Sequence, residues 1–217
     1  MTTCLVTDRR RLCGAGCPIA EARARLVEQA RRAAAADVDL IQVREPDLEA
    51  GALAEIVRAV LAATAGSSTR VVVNDRLDVA LACGAHGVHL RGDSFSPADV
   101  RRIAPRPFLV GRSVHSAAEV DAGVDVDYFI AGTAFPTASK PGMRSLLGVH
   151  GLRAIVRASR TPVLAIGGIT LERLGDVADA GAAGVAGIGL FVDLDAIAAV
   201  QETIRSLFDS AKSGSYH

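Results

Sequence analysis

Eight short apolar runs recur along the chain, and a longer stretch with helical spacing follows each one. The runs are residues 4–7, 40–44, 71–74, 87–90, 109–113, 128–132, 163–166 and 184–188. They are apolar on both faces, as parallel strands covered on two sides must be. The intervening helical stretches are 19–36, 48–64, 77–83, 97–103, 117–122, 152–158, 171–180 and 195–207. In the second, Leu53, Ile56, Val57, Val60 and Leu61 share one face. Ser96 before Pro97 has the pattern of an N-cap followed by proline at the first helical position. Ser116 with Glu119 has the pattern of a capping box. Eight β/α units within 217 residues predict one α/β domain, a (β/α)8 TIM barrel over residues 1–208. The competing open doubly wound sheet would want a Gly-x-Gly-x-x-Gly after the first strand, and none is there. Residues 209–217, rich in Ser and Gly, predict a frayed tail.

Composition removes several classes of function. Half the residues are hydrophobic, and 24 Lys and Arg balance 24 Asp and Glu. That is enough apolar material for a large core, so disorder is excluded. Zero net charge and 4% aromatic residues argue against a nucleic-acid partner. No apolar run reaches the ~18–20 residues that span a bilayer, and the N-terminus lacks the pattern of a secretion signal. A cytoplasmic protein is the expectation, with assembly into a homo-oligomer left open. The cysteines are Cys4, Cys13, Cys17 and Cys83. Without a second pair at metal spacing, free thiols are expected rather than zinc or a disulfide. Only two of the basic residues are lysines, Lys140 and Lys212.

In such a barrel, functional residues gather where strands end and their following loops begin. The second strand ends in Gln42, Arg44 and Glu45, the third in Asn74 and Asp75, and the fourth in His89, Arg91 and Asp93. The fifth ends in Ser113 and His115. The sixth leads into a long loop that carries Thr137, Ser139 and Lys140. The seventh ends in Gly167-Gly168 and the eighth in Ile188-Gly189. Glycines after the last two strands suit a phosphate held by backbone N–H groups, although tight turns alone would also use them. Lys140 is a point charge suited to the same ligand class. His115 could move a proton near neutral pH. His89 suits a buried, hydrogen-bonded core position, while His86 and His150 look like loop residues. Asn74 and Asp75 could hold a substrate or Mg2+, or simply cap the next helix.

These residues, in this order, resemble the thiamine-phosphate synthase/TenI superfamily of (β/α)8 barrels over nearly the whole chain. The matching pieces include Leu5–Asp8, Gln42–Glu45, Val73–Arg76, Gly87–Leu90, Gly111–Ser116, Thr137–Lys140, Leu164–Ile169 and Gly181–Val185. The resemblance implies an enzyme of thiamine biosynthesis with small phosphorylated thiazole or pyrimidine ligands. One branch of the superfamily joins hydroxymethylpyrimidine diphosphate to thiazole phosphate with Mg2+ and releases pyrophosphate. The TenI branch aromatises a carboxythiazole phosphate by moving a proton and uses no metal.

Two departures push the reading toward TenI. The synthase lysine after the strand-2 Arg-Glu pair is Pro46 here. The synthase aspartate five residues after the strand-4 histidine is Ser94, with Asp93 one residue early. The sequence-based order is therefore a thiazole tautomerase first, with His115 catalytic and no cofactor. Gln42, Arg44, Asn74, Ser113, Thr137, Ser139 and Lys140 would contact its substrate, and Gly167, Gly168, Ile188 and Gly189 its phosphate. A synthase is second, with Asp75 and Asp93 on Mg2+. A non-catalytic barrel that binds thiamine precursors is third.

Overall fold

The computed structural model describes residues 1–120, 124–137 and 145–213, with side chains as far as residue 210. Eight strands form one closed parallel barrel in chain order. They are β1 (Thr2–Val6), β2 (Leu40–Val43), β3 (Arg70–Asn74), β4 (Gly87–Leu90), β5 (Leu109–Val114), β6 (Tyr128–Ala131), β7 (Val163–Ile166) and β8 (Gly184–Gly187). Pairing of Thr3 with Val185 and of Cys4 with Ala186 closes the ring. The expected (β/α)8 barrel is therefore the observed fold.

The two faces of each strand serve two cores. Cys4, Val6, Leu40, Tyr128, Ile130, Leu164 and Ala186 cluster together in one. Residues one position out of step, such as Leu5, Ile41, Val73, Val88, Val110, Phe129 and Val185, join the larger core with the helices. This is the period of two expected of strands covered on both sides. Gly111 marks a close approach, because a Cβ there would overlap the Tyr128 ring.

The helices are α1 (Arg9–Cys13), α2 (Ile19–Ala35), α3 (Ala50–Ala63), α4 (Leu77–Cys83), α5 (Pro97–Ile103), α6 (Gly148–Ala158), α7 (Leu174–Asp179) and α8 (Ile197–Ser213). In α3, Leu53, Ile56, Val57 and Val60 are buried, as their spacing requires. The Ser96 hydroxyl accepts the Asp99 amide at 3.1 Å and caps α5, with Pro97 in the first turn. The chain from Asp209 to Ser213 belongs to α8.

Several expectations need correction. No α-helix follows β5 among the described residues, only a 3-10 turn, Ala117–Glu119. The Ser116 hydroxyl caps no amide. Instead it donates to Glu119 at 3.1 Å, and the other Glu119 oxygen accepts the His115 amide at 2.9 Å. Residues 171–180 divide into a 3-10 turn (Leu171–Arg173) and α7. His150 lies in the first turn of α6 rather than in a loop. The short α1 was not anticipated; the Asp8 carboxylate caps it by accepting the Arg11 amide.

The thiol expectation is also corrected for one pair. Cys13 and Cys17 are joined in a disulfide, while Cys4 and Cys83 are free. Gly14 takes φ of 91° at the end of α1 and turns the chain back. That brings the two Cα atoms to 5.7 Å, within disulfide range. Burial pushes the Cys4 thiol up to about 12, so it stays neutral inside the barrel.

Candidate active site

Parallel closure carries all eight strand C-termini to one end of the barrel. Gln42, Arg44, Asn74, Asp75, Asp93, Ser113, His115, Thr137, Gly167, Gly168, Ile188 and Gly189 all lie at strand ends or in the loops that follow. Ser139 and Lys140 lie outside the described residues.

The β3 and β4 ends converge on one cation. Arg91 makes a two-point ion pair with Asp93, at 3.0 and 2.6 Å. Its Nε is also 3.7 Å from Asp75, and its amide is 3.5 Å from the same carboxylate. Asp75 has φ of 59°, a left-handed conformation that aspartate tolerates better than most residues. The Arg91 guanidinium holds the Asp93 carboxyl below its usual range. The two carboxylates expected on a metal thus already share a positive charge, and both donors are hard oxygens that suit Mg2+.

Behind them stands His89, inside the barrel. Its Nε2 is 2.9 Å from the Ser113 hydroxyl, and its ring stacks on Tyr128 at 5.7 Å between centroids. Burial lowers its pKa to about 3, so it is a neutral imidazole. The expected core role for His89 holds, and it also fixes the hydroxyl of a candidate site residue. Gln42 is 3% exposed, and its Nε2 has no hydrogen-bond partner among the described residues.

His115 lies just past β5. Its Nδ1 is 2.5 Å from the Gly132 carbonyl, which can only accept, so Nδ1 carries the proton.

The β7 and β8 glycines have different surroundings. Gly167 and Gly168 have φ of 95° and 64°. A Cβ on Gly167 would press on Thr133, and one on Gly168 would collide with the Phe135 and Pro136 carbonyls. Backbone shape and close approach thus require these two glycines. Gly189 is not in the left-handed region, and a Cβ there would meet only the Arg11 guanidinium, at 3.5 and 3.8 Å.

Sequence reasoning missed the lock between the first two loops. Buried Glu45 accepts from the Thr7 hydroxyl at 2.8 Å, from the Arg9 amide at 3.1 Å and from the Arg9 guanidinium at 3.0 Å. Burial raises the Glu45 pKa although these donors oppose it. Arg9 also pairs with Asp47 and holds that carboxyl down to about 2. The Arg44 amide bonds to the Thr7 hydroxyl at 2.9 Å. Threonine, arginine and two acids at neighbouring strand ends were the available clue. The ion pairs of Arg91 were missed likewise, although an acid stands two residues beyond it.

Comparison with known proteins places this geometry in a family. The model for the family described as "Thiamine monophosphate synthase" matches residues 12–191. A thiamine-phosphate synthase of Methanoregula boonei is 42% identical over 187 residues, covering 85% of this chain and 87% of that one. One from Azorhizobium caulinodans is 31% identical over 210 residues, covering 96% and 95%. A solved structure, thiamine phosphate pyrophosphorylase from Pyrococcus furiosus, superposes with a TM-score of 0.79 at 29% identity, covering 97% and 96%. The chain belongs to the thiamine monophosphate synthase family. The preference for a thiazole tautomerase is thereby corrected: relatives at 31–42% identity carry the synthase name, across most of both chains.

Proposed function

We propose that this protein is a thiamine-phosphate synthase, joining hydroxymethylpyrimidine diphosphate to thiazole phosphate and releasing pyrophosphate. The observation that carries the reading beyond family membership is the meeting of Asp75 and Asp93 on one positive charge. Asp93, one residue earlier than the pattern asks, shares the Arg91 guanidinium with Asp75, which supports the two as a cation-holding pair. In the reaction the thiazole nitrogen bonds to the pyrimidine methylene carbon, and the carbon–oxygen bond to the diphosphate breaks. The leaving group gains charge, so cations near its oxygens lower the barrier. Asp75 and Asp93 would hold Mg2+, which supplies that charge stabilisation when bound.

The remaining side chains bind and orient. Arg44, Asn74, Ser113, Thr137, Ser139 and Lys140 are the candidates for the diphosphate and its pyrimidine. His89 presents the Ser113 hydroxyl without adding charge. Gln42 supplies an uncommitted amide inside the barrel. His115, anchored through Nδ1 to the Gly132 carbonyl, is a candidate hydrogen-bond partner for the substrate. Gly167, Gly168, Ile188 and Gly189 would surround the thiazole phosphate.

The test is pyrophosphate release from both substrates, with and without Mg2+. Turnover is expected only with metal, and Asp75→Asn should lower it by about 10²-fold or more, as loss of a preorganised electrostatic group does. Asp93→Asn should cost a similar factor, while Ser94→Ala should be nearly silent. Absence of pyrophosphate at saturating substrates and Mg2+ would reject the assignment. Ligand binding in that case would indicate a barrel that binds precursors without converting them.

A further inference from the structure

Three arginines follow β1, and their partners divide them. Arg9 is taken up by Glu45 and Asp47, and Arg10 by Asp47 at 2.8 Å. Arg11 has its amide fixed by Asp8 at 3.1 Å, but its guanidinium pairs with no carboxylate among the described residues. It lies exposed, with its nitrogens 3.5 and 3.8 Å from the position of a Cβ on Gly189.

Gly189 is the second half of the observation. Gly167 and Gly168 are glycines because the backbone and its neighbours leave no choice. Gly189 has an ordinary φ, and an added Cβ would meet nothing closer than normal van der Waals contact. The fold itself would accept alanine there. What glycine provides is bare backbone beside an uncommitted guanidinium. A guanidinium and exposed peptide edges together are the usual partners of a phosphate.

We propose that Arg11 is a substrate-binding residue: its guanidinium closes over Gly189 to hold the phosphate of a phosphate monoester. The identity of that ester as the thiazole phosphate rests on the synthase reading; the anion seat does not. Arg11 is presented from α1, and the Cys13–Cys17 disulfide ties down the chain that leaves that helix.

Calorimetric titration tests this with three probes: inorganic phosphate, thiazole phosphate and the unphosphorylated thiazole alcohol. Arg11→Gln should weaken both phosphate-bearing probes by about tenfold, the scale of one charge-assisted contact. It should leave the alcohol unchanged, and Arg11→Lys should restore part of the loss. Gly189→Ala should weaken the phosphate probes without altering thermal stability. Arg25→Gln, on the exposed face of α2, is the control. Unchanged phosphate affinity in Arg11→Gln, an equal loss for the alcohol, or no phosphate binding by the wild type would each overturn the proposal. Failure of pyrophosphate release would reject the synthase reading alone, because the phosphate titration still decides the role of Arg11.

Discussion

His89 is the residue whose chemistry is most altered by the fold. An unfolded histidine titrates near 6.5, whereas burial takes this one to about 3. The folded state therefore disfavours the added proton. Its contribution to stability is fully present above pH 6.5 and is lost as the pH falls toward 3. The slope approaches roughly 1.4 kcal/mol per pH unit within that window. Urea midpoints between pH 7 and pH 4 should fall more steeply for wild type than for His89→Gln, by about one proton. Parallel curves would show that His89 is not the group responsible. At this scale the sequence was partly legible. A histidine at the end of an apolar strand could be placed in the core, because strand alternation sets which way it points. The Ser113 contact, the loop arginine partners and the Cys13–Cys17 bond were not legible, since each depends on how a loop turns. Pro46 and Ser94 illustrate the same limit. Two missing side chains argued for the wrong branch, yet a carboxylate one position away reaches the shared cation.

The elements were easier to read because periodicity is averaged over many residues. All eight strands and the buried face of α3 follow from apolar spacing alone. Short connections are where reading failed: α1 carries a single cap, Asp8, and the 3-10 turn after β5 is held by the bonds of Glu119 to the His115 amide and the Ser116 hydroxyl. The β7 glycines show what a loop conceals. Gly168 was legible as a turn residue, but its packing against the β6 loop was not. Gly168→Ala should therefore act at a distance from its own strand. The left-handed φ and the collision with Phe135 and Pro136 should destabilise the protein by about 1–3 kcal/mol. Thermal melts should show that loss, and hydrogen exchange should quicken at Ala134 and Phe135. An unperturbed melt would mean that the two loops separate at little cost.

For the molecule as a whole, balanced charge predicts how ligands arrive. No helix in the described residues is long and apolar enough to cross a membrane. With 24 charges of each sign, the chain has no net charge to steer an anion from afar. Raising salt from about 0.01 to 0.15 M shortens the Debye length from about 30 to 8 Å. The association rate of a phosphate ligand should change only a few-fold over that range. A fall of a hundredfold, read by stopped flow, would reveal a strong field at the barrel mouth.

The seam between β6 and β7 has one more consequence. Beyond the strands, the Ala134 amide bonds to the Ile166 carbonyl at 2.8 Å and the Phe135 amide to Gly167 at 3.0 Å. The Arg173 guanidinium lies over the Phe135 ring, 4.5 Å from its centre. Two loops joined in this way are energetically coupled: displacing either must break these bonds or carry the other along. A ligand that settles against one of them would therefore be felt at the other.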